Sequence, residues 1–137
     1  VPGQPGGGPV SIADELRALL QRYARAADDR DLGELEALFH PDAEIVGARG
    51  TMTRAQWLAT MAAPRAFPAS MHVIGDPLIA VDPSGTAASL DSYAVVYQLA
   101  AEGGTDLTLG IRYRDEAVFE AGRWVIRTRR AETRWMR

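Results

Sequence analysis

The chain has 137 residues, a formal net charge of −3, 47% apolar and 24% charged residues, the balance of one globular domain with a proper core. That charge offers no general attraction for nucleic acid or an anionic membrane, and no run approaches the ~18 apolar residues of a membrane-spanning helix. Cys and Lys are both absent, so thiolate chemistry, disulfides and Schiff-base catalysis are excluded, and all fifteen basic residues are Arg.

The opening "VPGQPGGGP" holds four Gly and three Pro and cannot bury enough surface to order itself. Residues 1–10 therefore read as a flexible leader and 11–137 as a single domain. The leader lacks the charged and apolar regions of a signal peptide, so a cytoplasmic location is the default expectation. Ser11 is an N-cap, and Ile12, Leu16, Leu19, Leu20, Tyr23 and Ala27 recur at helical spacing, predicting a first helix over about 11–28. Asp31 caps a second helix over about 31–39, with Glu34 placed as in a capping box and Leu35, Leu38 and Phe39 buried. "HPDA" ends that helix, where His40 would face the negative end of the helix dipole. "AEIVG" reads as a short strand and "ARGTMT" as a turn or small hairpin. Thr53 then caps a third helix over about 54–62, carrying Trp57, Leu58 and Met61.

From Ser70 on, the character changes. "SMHVIGDPLIAVD", "AASLDSYAVVYQLAA", "DLTLGIRYRDEAVFE" and "RWVIRTRRAETRW" are rich in β-branched and aromatic residues, and "PSGT", "EGGT" and "EAGR" separate them. They predict a four-stranded antiparallel meander. Strands this long curl as their twist accumulates. Helices first and strands after give an α+β fold: N-terminal helices packed in a strongly curved, mainly antiparallel sheet, a cone whose open mouth suits a small apolar molecule.

The chain has only two histidines, too few for an evident metal-ligand constellation, and no metal site is expected. His72 alternates with Ile74 on one face of its strand, where it is either a satisfied core histidine or a general base. Three carboxylates close the first helix in "YARAADDRD". Asp29 reads as solvated, Asp31 as a cap, and a straight helical wheel turns Asp28 about 140° from Tyr23, onto the flank. Tyr93 and Tyr97 share one face of their strand. Arg112 and Tyr113 point to opposite faces, Tyr113 on the side of Leu107, Leu109 and Ile111. No nucleophile elbow, P-loop or dinucleotide fingerprint occurs.

Taken together, "LLQRYARAADDRDLGELEALFHPDAEIV", "MHVIGDPLIAVD", "SYAVVYQ" and "LGIRYRDEAVFEAGRWVIRTR" resemble SnoaL-like domains of the nuclear-transport-factor-like, ketosteroid-isomerase-like superfamily, over about residues 10–133. Within it, the closest functional analogy is to scytalone dehydratase and bile-acid dehydratase. The resemblance implies a cofactor-free lyase or isomerase acting on a small hydrophobic carbonyl compound, such as a polyketide or steroid-like ring. By motif, Tyr23, Asp28 and His72 take the tyrosine, aspartate and histidine positions, with a local bend turning Asp28 towards the cone. Tyr93, Tyr97, Arg112, Tyr113 and Trp57 are the substrate-binding candidates. Arg127 and Arg129 have no assigned partner. The alternatives are a binding module without chemistry and a polyketide cyclase of the aldol type. A homodimer is expected, because one face of a curved sheet with apolar residues on both sides needs cover.

Overall fold

The computed structural model describes residues 10–137, so the expected leader, apart from Val10, lies outside the described residues. Three helices come early: α1 (Ile12–Asp29), α2 (Leu32–Leu38) and α3 (Arg54–Ala62). Each begins on the cap its sequence provides. Ser11, Asp31 and Thr53 accept the N–H of Asp14, Glu34 and Gln56, and Gln56 returns a bond to the Thr53 N–H. Each such cap contributes about 1 kcal/mol.

The end of α1 is sharp. Arg30 adopts the left-handed conformation (φ 53°), and the Asp31 N–H reaches back to the Ala26 carbonyl at 2.9 Å. The Arg30 guanidinium then donates to the Phe67 carbonyl at 2.9 Å, fixing the approach to the next strand against the helix end.

The strands are β1 (Phe39–Gly47), β2 (Gly50–Thr53), β3 (Ala69–Ile74), β4 (Leu78–Val81), β5 (Ala87–Leu99), β6 (Leu107–Glu120) and β7 (Arg123–Met136). They form one curved, unclosed seven-stranded sheet in the order β2-β1-β7-β6-β5-β3, with β4 also on β5. Helices and sheet together are the expected α+β cone. Two details differ from the expected meander. The first long strand is two, β3 and β4, because "GDP" interrupts it; Pro77 has no N–H to continue a ladder. β1 starts at Phe39, and it pairs in parallel with β7, closing the sheet order across the chain. His40 therefore lies in β1 and not at a helix end. Its Nδ1 accepts the Asp42 N–H at 2.9 Å and its Nε2 meets Glu120 at 2.7 Å.

The core is the inner face of the sheet against the apolar stripe of α1. Leu16, Leu20, Ala27, Leu35, Phe39 and Ile126 are sealed from solvent. Strand alternation decides the rest. In β5 the even-numbered residues from Ala88 to Val96 face inward, and in β6 Tyr113, Asp115 and Ala117 do.

Candidate active site

α1 and β3 together hold the central pair. β3 is an edge strand, hydrogen-bonded in the sheet only to β5, and its free edge runs along the flank of α1. Gln21 donates to the Ile74 carbonyl at 3.4 Å, and Asp28 takes the rest of the contact. Asp28 Oδ2 accepts the His72 backbone N–H at 2.9 Å, while Oδ1 accepts from Ser70 Oγ at 2.9 Å and from His72 Nδ1 at 2.6 Å. α1 runs to Asp29, so Asp28 lies within the last turn of the helix, on the flank that the helical wheel gives it. It is the flank itself that is covered, by β3.

This geometry fixes the imidazole. Nδ1–H points at the carboxylate, and Nε2 makes no hydrogen bond among the described residues, so the basic nitrogen is the free one. Burial pushes the His72 pKa below its ordinary 6.5. Asp28 opposes that shift, and the charges of Arg129 and Arg65 add to it. The ring is thus neutral at pH 7. Tyr23 stands edge-on to it, ring centres 5.8 Å apart, and also meets Trp57, Phe39 and Tyr113.

Behind this aromatic group lies a feature that sequence reasoning did not assign. Arg129 of β7 faces Asp115 of β6 across the ladder and donates to it twice, at 2.8 and 3.0 Å. Both side chains are shut off from water. The guanidinium lies over both the Tyr23 and Tyr113 rings, 4.1 and 4.0 Å from their centres, in the corner these two nearly perpendicular rings make. Its remaining arm, Nη1, is buried without a partner among the described residues. Burial lowers the Arg129 pKa, but the Asp115 carboxylate and its hydrogen bonds outweigh this and raise it overall. Burial likewise raises Tyr113 well above 10, so it remains a neutral O–H donor.

A cavity of about 530 Å³ opens beside these groups, walled by Tyr23, Trp57, Met61, Phe67, Tyr113 and Arg129 among others. That volume suits a bicyclic ligand. Tyr23, Tyr113 and Trp57 thus line the cavity, whereas Asp28 and His72 do not, His72 meeting it only through its edge-on contact with Tyr23. The other three candidates are elsewhere. Tyr93, Tyr97 and Arg112 are corrected to the outer face of the sheet, with Tyr93 63% and Tyr97 45% exposed. In β5 the odd-numbered positions point away from the helices, and Arg112, opposite Tyr93, is bound to Asp91.

One signal for the missed pair was present. Asp115 shares the inward face of β6 with Tyr113, and a carboxylate there requires a cation. β7 offers two on alternating positions, Arg127 and Arg129, and only the register selects between them. Among the described residues no cluster of three or more His, Asp or Glu could hold a metal ion.

The SnoaL-like domain matches residues 10–130. The chain belongs to the SnoaL-like domain family. Three solved structures illustrate the shared fold. This SnoaL-like chain is similar to a scytalone dehydratase-like protein from Novosphingobium aromaticivorans, at 22% identity and a TM-score of 0.82, covering 90% of this chain and 84% of that one. It is similar to a hexachlorocyclohexane dehydrochlorinase, LinA type 2, at 16% identity and a TM-score of 0.78, covering 90% and 85%. It also resembles an NTF2-like protein with a cystatin-like fold from Novosphingobium aromaticivorans, at 25% identity and a TM-score of 0.75, covering 88% and 80%. No curated protein matches the sequence.

Proposed function

We propose that this SnoaL-like protein is a cofactor-independent lyase or isomerase that moves a proton α to a carbonyl in a small hydrophobic compound, eliminating water from a β-hydroxyketone in the form favoured here. The observation that carries the reading is the 2.6 Å contact of Asp28 with His72, whose ring packs on Tyr23 in the wall of a cavity also lined by Tyr113 and Arg129.

His72 Nε2 takes the α-proton. Its Nδ1–H stays on Asp28, whose charge stabilises the imidazolium that forms. Electron density moves to the carbonyl oxygen, which accepts from Arg129 Nη1 and from the phenols of Tyr23 and Tyr113. Collapse of the enolate forms the C=C bond and expels the β-hydroxyl, which leaves as water with the proton returned by His72. Positioned acid–base catalysis contributes about 10²–10⁴-fold, and oxyanion donors about 10²–10³-fold each. That total suits an acidic α-proton. Two of the structural neighbours are named for eliminations, a dehydratase and a dehydrochlorinase, which supports the reaction class. The test is turnover of a β-hydroxyketone panel, followed by enone absorbance, in the parent and in His72→Ala. Unchanged turnover in the variant overturns the mechanism, and product analysis separates loss of water from aldol ring closure.

A binding module without chemistry is the second reading, favoured by Tyr23 rather than His72 forming the cavity wall. Ligand-induced thermal stabilisation with no product from any panel member would support it.

The outer face carries Met71, Val73, Tyr93, Tyr97 and Trp135, all more than 40% exposed, and we assign a second copy of the chain to cover it. Sedimentation equilibrium that returns a monomer at micromolar concentration would overturn this.

A further inference from the structure

The wall of the cavity has a charge pattern that neither the fold nor the acid–base pair requires. Arg49, Arg65 and Arg129 line it, and no carboxylate does. The chain as a whole is acidic, at −3, so a cationic hollow is a local property and not a consequence of composition. Of these three arginines, Arg129 alone has a carboxylate partner, whereas Arg49 and Arg65 have none among the described residues.

Arg65 is the telling member. It is half-buried on the segment between α3 and β3, where its only side-chain hydrogen bond is a long one from Nη2 to Met61 Sδ, 3.6 Å. A part-desolvated guanidinium without an anion is costly. Burial, with the charge of Arg30, accordingly lowers its pKa against the weaker pull of Tyr23 and Asp28. Arg129, deeper in, has Nη1 equally unpartnered, although its charge is already balanced by Asp115. The deep arginine thus suits an oxygen that becomes negative during reaction. The two outer ones, with no counter-ion, suit a group that is negative beforehand.

We infer that the substrate is a hydrophobic carbonyl compound carrying a carboxylate, and that Arg65 and Arg49 grip this carboxylate while the apolar body lies against Trp57, Met61 and Phe67. The inference rests on the acid–base reading above for the reaction but not for the binding. A planar carboxylate matches the guanidinium fork, and one placed at Arg65 keeps its charge away from the enolate forming at Arg129.

The experiment separates the two claims. Binding of 2-naphthoate and of its neutral methyl ester is measured by fluorescence titration at low and high salt. The parent protein is expected to bind the acid about tenfold more tightly than the ester, with a preference that shrinks as salt rises. The double variant Arg49→Ala/Arg65→Ala is expected to lose that preference, and His72→Ala to keep it while losing turnover. Equal affinity for acid and ester in the parent, binding of neither, or a preference that survives the double substitution overturns the inference. The salt series on the parent decides the matter even where a variant folds poorly. Turnover retained in His72→Ala overturns only the acid–base mechanism and leaves the anion preference to stand or fall on the titrations.

Discussion

Arg129 and Asp115 form a two-pronged ion pair across the β6–β7 ladder, at 2.8 and 3.0 Å, with the guanidinium packed on two tyrosine rings. Both partners are buried, so each is tolerable only because of the other. Asp115→Ala leaves a guanidinium in the core with no counter-ion. The expected loss is about 3–5 kcal/mol of unfolding free energy, read from urea denaturation at pH 7. A loss below about 1 kcal/mol would mean that Arg129 swings out to solvent when released, and that the two tyrosine rings do not hold it.

The His72 imidazole has a pKa below its ordinary 6.5, chiefly because it is buried. The free enzyme therefore keeps its base unprotonated at pH 7. The acid limb of kcat/KM is expected to have its midpoint below pH 6.5, with unit slope. Stability follows the same sign. Between 6.5 and the lower folded value the unfolded chain binds the proton and the native one does not, so this group's contribution is lost as pH falls through that window. A limb centred above 6.5 would show that Asp28 outweighs burial.

Asp28 supplies three hydrogen bonds to β3, of which one orients the imidazole and two hold the strand. Asp28→Asn retains acceptor capacity for the His72 N–H but removes the negative charge facing Nδ1. The expected result is a fall in kcat of about 10²–10⁴-fold with KM little changed. Ser70→Ala removes one bond to the same carboxylate and is expected to cost kcat about tenfold or less. A large rise in KM for Asp28→Asn, with kcat preserved, would assign Asp28 to the architecture of the pocket alone.

What could be read ahead of the coordinates followed from local physics. Helix starts were legible because Ser11, Asp31 and Thr53 satisfy their own first turns, which needs no tertiary contact. The meander was legible from long alternating strands and short Gly turns. The split between β3 and β4 was visible in "GDP" but was overridden by the apolar character on either side. Two things depended on register and docking, which local pattern does not encode. Asp28 fell on the flank because a wheel knows only its own helix, while the strand that covers that flank begins about forty residues later. Tyr93 and Tyr97 share a face, as alternation requires, but alternation cannot say which face looks into the cone. Arg129 lay in an arginine-rich strand whose members are alike until Asp115 chooses one.

Gly110 and Trp135 make the last prediction. They are paired across β6 and β7, and a Cβ on Gly110 would lie 2.1 Å from the indole Nε1, so no larger residue fits beneath the ring as it stands. Trp135 is 43% exposed on the outer face and can swing away, so Gly110→Ala is expected to cost only about 1–2 kcal/mol in folding. The swing would disturb the apolar surface shared with Tyr93 and Val95, which with Trp135 frame a shallow hollow of about 310 Å³. If a second copy covers this face, Gly110→Ala weakens self-association about tenfold or more and shifts tryptophan emission to the red. Sedimentation equilibrium and fluorescence on the same samples check both. A dimer of unchanged strength alongside a shifted emission would place the contact elsewhere on the molecule.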